Sequence, residues 1–567
     1  MEIFKSKSCL ELIQSIQKYE GKLGRKIKIL NIGNIANNAY NNANILNQLG
    51  FDADVICYDY YHSMSYPEWE HIGLNVSSMD SERPNFLGVD LNGYERPRWF
   101  AQGPLKKCIE YLIARNRGYH SNSDFLWQEL SRHTLFPIYG LEHKNPFTFR
   151  QHAIHILNNF FTKKIQLTYG YLWVLLFSPN AKTIIQKKFL SVTGLGKYRL
   201  LLVDLTCLIL VAPNKFIKII SPKKLSRKEK FKQNLIRDFK DKFPLRHDQL
   251  TMDDLQKFDS VALQWQSLVR MYDLVIAYAT DPLIPMLVGE RPYIAYEHGT
   301  IRDIPFENSA LGRITALSYS MANAVYMTNA DSTLQASKLR CKNLIYGLHG
   351  FNFKKLFEHK EYALSAGIPR ELKNIHKKIF FGPARQHWKY GFSTWLKGND
   401  QIIYAVNYLS KLYPSSFIVI FVEWGAEVKD SKELIHNLGV DEYFKWVPPM
   451  PKKELIRYYL HADCILDQFV LPCLGSVTLD AIAIGSCPVI TRLNDKFISE
   501  FYGQEIPLLN CSNAVEIASA MEVIMTKENK SKSIARACED WFHKFHSQEK
   551  LIKTLLDAVF IGLNGRV

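Results

Sequence analysis

Short apolar runs alternate along this chain with longer stretches in which apolar residues recur at helical spacing. The first run is Lys26-Ile27-Lys28-Ile29-Leu30-Asn31-Ile32-Gly33; a polar loop and a helical pattern from Ala39 to Leu49 follow, and Gly50 ends that pattern. Phe51 to Tyr58 is the next strand-like run. Strand, crossover helix and strand together predict a parallel sheet, because only a long crossover returns the chain to begin a strand in the same direction. Gly33 is the one glycine of the first strand–helix loop, so the three-glycine dinucleotide fingerprint is absent.

After about Trp99 the pattern becomes helical and irregular, and alternating signals resume near Tyr272. Asp273 to Ala279 reads as a buried strand, and Pro292 to Tyr296 as another that ends at Glu297-His298-Gly299-Thr300. A helix over Ile314 to Ala322 and a strand over Ala324 to Thr328 follow, then a hinge near Gly347 to Glu358. Beyond Lys377 the predicted strands are Lys378 to Gly382, Phe417 to Val422, Cys464 to Asp467 and Pro488 to Ile490. Helices over Asp400 to Leu412, Lys432 to Leu438, Lys453 to Leu460 and Val477 to Ile484 alternate with them, and Lys532 to Leu563 reads as helical.

The fold class expected is α/β: two doubly wound, Rossmann-like domains facing a cleft, with a basic, mainly helical insertion in the first. The expected divisions are residues 1–100 with 258–345, the insertion 101–257, a second domain 346–530 and a helical tail 531–567. Ligands of such sheets bind outside the carboxyl ends of the strands.

At 567 residues the chain exceeds one ordinary core, which agrees with two domains plus added material. Its net charge of +16 is concentrated: residues 151–240 hold 17 Lys and Arg against Asp204, Glu229 and Asp238. The same stretch contains the most apolar runs, Tyr169 to Phe177 and Leu200 to Val211, both shorter than the roughly 20 residues that span a bilayer. Apolar runs beside dense positive charge suit contact with an anionic membrane surface; the alternative is a buried helical insert with a solvated basic face. No nucleic-acid motif accompanies the charge, so no nucleic-acid partner is expected. Met1 to Tyr19 has no apolar leader core, and the ten cysteines form no C-x-x-C pair, which reads as reduced thiols. The expected location is cytoplasmic, peripheral on the inner leaflet of the cell membrane.

Candidate chemistry lies mostly in the second domain. Arg385 follows the strand-like run Ile379 to Ala384, and Lys397-Gly398 opens a helix. Arg385 offers a planar fork of donors and Lys397 a point charge, both suited to phosphate oxygens. Gly475, Ser476, Val477 and Thr478 begin a helix whose free amides and dipole favour an anion. Asp480, placed in the first turn of that helix, suits a ribose hydroxyl. In the first domain, His298 sits at the lip of a strand expected to face the cleft.

From about Leu344 to Ile490 the chain resembles GT-B-fold glycosyltransferases of the family-4 kind. Gly350 to Phe357 is similar to their hinge signature, Arg385 with Lys397-Gly398 to their basic pair, and Phe417 to Gly425 to their strand with a glycine loop. Leu460 to Gln468 resembles the strand before the donor loop, and Gly475 to Ile490 the donor helix; Ile29 to Tyr58 and Glu297-His298-Gly299 also fit. The pair of Glu residues usual in that family is replaced by Pro472 and Asp480.

The resemblance implies a GT-B-like arrangement and transfer of a hexosyl group from a nucleotide-sugar donor to a surface-glycan or glycolipid acceptor, with retention of configuration. It implies His298, Arg385 and Lys397 as catalytic. It implies Gly33, Asn34, Glu297, Glu423, Gly475, Ser476, Val477, Thr478 and Asp480 as substrate-binding. No metal and no cofactor is expected, since cations and a helix end serve the diphosphate. The alternatives are a GT-B nucleotide-sugar epimerase, or a non-catalytic GT-B protein that binds a membrane or a partner.

Overall fold

A computed structural model describes residues 7–58, 65–68, 94–135, 226–289, 291–391 and 396–563. By compactness the chain divides into Met1–Ile138 with Leu235–Val567, and Tyr139–Asn234. The first unit carries two parallel sheets. Both apolar runs of the insertion, and 11 of the 17 Lys and Arg of residues 151–240, lie outside the described residues.

The first sheet contains β1 (Lys28–Ile32), β2 (Asp52–Cys57), β3 (Phe100–Gln102), β4 (Leu274–Tyr278), β5 (Tyr293–Tyr296), β6 (Ala324–Met327) and β7 (Leu344–Tyr346) in the order β3-β2-β1-β4-β5-β6-β7. The second contains β8 (Lys378–Gly382), β9 (Phe417–Val422), β10 (Phe444–Val447), β11 (Cys464–Leu466), β12 (Val489–Thr491) and β13 (Leu509–Asn510) in the order β10-β9-β8-β11-β12-β13. Every pairing in both sheets is parallel. Each sheet therefore reverses its winding at a switch point, between β1 and β4 in one and between β8 and β11 in the other. The fold is α/β with two Rossmann-like sheets, and the switch points are where such sheets bind ligands.

The insertion expected from residue 101 begins inside β3; its further described elements are the helices Leu105–Asn116, His120–Leu135, Arg227–Lys242 and Met252–Gln256. Thr251 and Asp254 close a reciprocal cap on the last of these, each side chain bonding the other's backbone amide.

Three tyrosines form a ladder across the first sheet. Tyr278, Tyr296 and Tyr326 are paired in register on β4, β5 and β6, and their rings stack at 4.4 and 4.7 Å between centroids. Their hydroxyls reach polar partners, as buried phenols require. Tyr296 and Tyr326 both donate to the Leu348 carbonyl, at 3.1 and 3.2 Å, and Tyr326 accepts the Leu348 amide at 3.1 Å. Leu348 belongs to the segment that joins the sheets, so the ladder anchors the hinge. Asn352 then caps the helix Phe353–Ala366 by accepting the Lys355 amide at 3.1 Å. The expected hinge over Gly347 to Glu358 is thus half extended and half helix.

The tail forms two helices, Glu528–Phe545 and Gln548–Leu563. The first packs against Ser476–Ile484 of the second lobe. The second crosses back to β4–β7 of the first sheet. Thr554 meets the Tyr326 hydroxyl at 3.0 Å, and a Cβ on Gly562 would lie 2.8 Å from Leu274.

Candidate functional site

Residues at the carboxyl ends of both sheets meet in one charged corner. From the first lobe comes Arg302, in the short turn Thr300–Arg302 after β5. Its Nε and Nη2 donate to the two carboxylate oxygens of Asp331 at 2.5 and 2.9 Å, with both side chains largely buried. Burial works against the Arg302 charge, but Asp331 outweighs it and holds the guanidinium protonated. Gly299 makes room for this side chain: its φ is 90°, and Arg302 already occupies the place a Cβ would take.

From the second lobe come Arg385, after β8, and Lys397. Gly398, at φ 75°, turns the chain from Lys397 into the helix Asn399–Leu412, and a Cβ there would press on Phe469 and Val470 at 3.2 and 3.1 Å. Lys397 donates through Nζ to Gln468 Oε1 at 2.5 Å, and the Lys397 amide is held by the His387 carbonyl. Burial lowers the Lys397 pKa; Asp467 and Cys473 pull it up, and the nearby charges of Arg385 and Arg302 push it further down. That coupling places Arg302, Arg385 and Lys397 in one electrostatic neighbourhood although they come from two lobes. Arg385 Nε is buried with no hydrogen-bond partner among the described residues.

The loop that carries Arg385 is fixed from below. Gln386 exchanges backbone bonds with Trp424 and Glu427, and its side chain accepts from Ser431 at 2.8 Å. The buried Glu427 carboxylate accepts the successive amides of Trp388, Lys389 and Tyr390. These bonds orient the loop without using either candidate cation.

Beside the cations lies the start of the helix Ser476–Ile484, with Gly475 as its N-cap. Asp467, after β11, turns its carboxylate into this helix end, where Oδ2 accepts the Thr478 hydroxyl at 2.7 Å and the Thr478 amide at 3.3 Å. Gly475 is glycine because a Cβ would stand 2.8 Å from that oxygen. Burial raises the Asp467 pKa, and Lys397 and Thr478 oppose the rise. The amides of Gly475, Ser476 and Val477 make no hydrogen bond to a described residue. Three cations, two partly compensating acids (Asp331 on Arg302 and Asp467 near Lys397) and unspent amides can hold a multiply charged anion such as a diphosphate.

Several expected residues take other roles. Thr478 is fully buried and spends both its amide and its hydroxyl on Asp467, so it does not belong to an anion cradle. Asp480 is not in the first turn: it is the fifth residue of the helix, buried, and paired with Lys452 at 3.3 Å. Glu297 is wholly buried; its carboxylate accepts the Gly299 amide and Asn329 Nδ2 and so builds the turn after β5. Asn34 is wholly buried too, with Oδ1 on the Tyr40 amide and Nδ2 shared between Asn37 Oδ1 and the Ser65 carbonyl. Gly33 remains at the switch point, where its φ of 92° and the Asp281 carboxylate 2.8 Å from its missing Cβ both require glycine. Glu423 is exposed and its carboxylate is taken by Lys432 at 2.6 Å.

His298 is half-buried after β5, its Nε2 2.9 Å from Asn38 Nδ2 and its ring 5.2 Å from that of His349. Asp331, His349 and Asn38 were not legible as site residues, because each becomes a neighbour only through the sheet order. The asparagine-rich run from Asn31 to Asn47 was the visible signal. Among the described residues no group of three His, Cys, Asp or Glu side chains could hold a metal ion, and no helix is long and apolar enough to cross a membrane.

Fold and corner together define an α/β protein with two parallel, doubly wound sheets and a cluster of cationic side chains at their carboxyl ends. No family model matches the chain. It is 25% identical over 154 residues to the D-inositol 3-phosphate glycosyltransferase of Corynebacterium aurimucosum, a match spanning 26% of this chain and 37% of that relative. Among solved structures it is similar to Anabaena HepE in complex with UDP and glucose, at 16% identity and a TM-score of 0.42, over 55% of this chain and 83% of that one. It is also similar to a glycosyltransferase from Rickettsia africae, at 12% identity and a TM-score of 0.42, over 96% of this chain and 100% of that one.

Proposed function

We propose that this protein is a glycosyltransferase that uses a nucleotide-sugar donor. The observation that carries the reading is the convergence of Arg302, Arg385 and Lys397 beside a helix start, with Arg385 Nε buried and without a partner among the described residues. Leaving a buried donor unpaired is costly, so such a site favours an anionic ligand. The partial match to a curated glycosyltransferase supports the same class.

Breaking a glycosyl–phosphate bond builds negative charge on the departing diphosphate. Preorganised donors aimed at that charge lower the barrier more than most other devices. In this reading Arg385 supplies the planar fork, Lys397 a half-buried point charge, and the amides of Gly475, Ser476 and Val477 the helix end. Transfer with retention is part of the proposal: the acceptor hydroxyl attacks on the side the diphosphate leaves. The buried Glu297 carboxylate, next to His298 in the chain, is spent on Gly299 and Asn329, so no carboxylate nucleophile is assigned. The acceptor is proposed to be a surface glycan or glycolipid, and the basic segment 151–240 to hold the enzyme on an anionic inner leaflet.

Purified protein incubated with UDP-, GDP-, ADP- and dTDP-sugars tests the class. Slow release of nucleoside diphosphate from at least one donor is expected. Inertness towards all four kinds, with folded protein, defeats the proposal.

A further inference from the structure

We propose that Asn38 is a positioning residue for His298, fixing the imidazole as its neutral Nδ1–H tautomer while gripping the hinge at Gly350. Backbone groups, whose donor and acceptor identities are certain, fix the orientation of the Asn38 amide. The Gly350 amide donates to Asn38 Oδ1 at 2.6 Å, so that atom of the side chain is the oxygen. The opposite atom donates to the Ile35 carbonyl at 3.0 Å, so it is the nitrogen. The same Nδ2 stands 2.9 Å from His298 Nε2. An amide nitrogen has no lone pair to offer, so Nε2 must be the acceptor and the ring proton must reside on Nδ1.

Position gives this contact reach. Asn38 opens the helix Asn38–Gln48, and Asn41, one turn later on the same face, donates to the Gly350 carbonyl at 3.1 Å. Both polar groups of the Gly350 backbone are thereby held by one helix of the first lobe. A Cβ at Gly350 would lie 2.8 Å from the Asn38 carbonyl and 2.9 Å from Asn42 Oδ1, so only glycine allows the approach. The hinge sets the Asn38 amide, and the amide sets the histidine: undocking Gly350 would release the orientation that selects the tautomer.

Ionisable groups nearby among the described residues include the adjacent Glu297, His349, and the Arg302–Asp331 pair that couples to Glu297. Glu297 is turned away onto Gly299 and Asn329. His349 is pushed down to about 4 by burial and by Arg302, so it is uncharged at neutral pH. The functional consequence rests on the proposed glycosyl transfer: there His298 is a fixed hydrogen-bond donor through Nδ1–H and not a proton acceptor.

Ring nitrogen NMR on the full chain labelled with 15N-histidine tests the tautomer directly, with His298 assigned by its loss in His298→Gln. The expected wild-type spectrum has Nδ1 protonated and Nε2 at the high-frequency position of a bare nitrogen. In Asn38→Asp the introduced carboxylate still accepts from Gly350 but now demands a donor from the ring, so Nε2 moves to the protonated position. A protonated Nε2 in the wild type overturns the proposal, as does an unchanged ring in a folded Asn38→Asp. If that variant does not fold, the wild-type spectrum alone decides. Absence of sugar transfer would sink the functional class and leave this readout intact.

Discussion

A Cβ on Gly347 would lie 2.0 Å from Cζ of Tyr326. The ring cannot step aside, because it is stacked on Tyr296 at 4.7 Å and hydrogen-bonded to Leu348 and Thr554. Gly347→Ala therefore forces the hinge away from the tyrosine ladder. Overpacking of this kind costs about 1–3 kcal/mol. Urea denaturation should show that loss, while Tyr326→Phe, which keeps the ring and removes the hydroxyl, should cost about 1 kcal/mol. A Gly347→Ala protein as stable as the wild type would mean that the hinge is not seated as described.

Asp480 and Lys452 give a second stability test. Their 3.3 Å pair is mostly buried, and burial raises the Asp480 pKa against the pull of Lys452. Removing one partner strands the other, at a cost of about 3 kcal/mol. Asp480→Ala should lose that much in chemical denaturation, and Asp480→Ala combined with Lys452→Met should recover most of it. A carboxylate that served only a ribose would instead leave stability unchanged and weaken nucleotide binding.

Histidines depressed by burial set an acid limit, and His546 and His359 join His349 in this. His546 is pushed down to about 3 by burial, with help from His349, and His359 to about 4 by burial, with help from Lys452. Depressed values mean that the unfolded chain binds more protons as pH falls. Their contribution is complete above about 6.5 and is lost as pH drops toward the folded values, at up to ~1.4 kcal/mol per pH unit for each group. His546 stacks on Phe542 at 5.3 Å, so His546→Phe should preserve the packing and flatten the dependence between pH 6.5 and 4. Identical slopes for variant and wild type would contradict the assignment.

Membrane contact is separable from catalysis. Intact protein should co-sediment with anionic vesicles at low salt. Neutralising Lys223, Lys224, Arg227 and Lys228 should weaken that binding by about 1 kcal/mol per charge that touches the surface. Recovery of the wild type in the supernatant would remove the membrane from the account.

The interior of both sheets was legible in the sequence, and their edges were not. β1, β2, β4, β5, β6, β8, β9, β11 and β12 were each expected within a residue or two. All are flanked on both sides by other strands, and a parallel strand buried on both faces reads as a continuous apolar run. The strands not expected, β3, β7, β10 and β13, are the four sheet edges. Phe444-Lys445-Trp446-Val447 shows why: only Val447 is buried, so its composition carries little strand signal. The cations of the site were legible because Arg385 and Lys397 each sit beside an element boundary. Arg302 with Asp331 and Asn38 with His298 were not, because their partners are 29 and 260 residues apart in the chain. Asn34, Glu297 and Thr478 had the right residue type in the right loop. What sequence could not show was that neighbouring backbone groups already consume them.

Calorimetric titration of the wild type and of Arg385→Ala with UDP, GDP, ADP and dTDP decides whether the cationic corner holds a diphosphate. Arg385 has no described partner to lose, so the variant should keep its stability to within about 0.5 kcal/mol. At least one nucleoside diphosphate should bind the wild type, and the variant should bind it about 10- to 100-fold more weakly, the worth of one or two charge-assisted hydrogen bonds. Equal affinity in both proteins, or no binding by the folded wild type, would contradict the account.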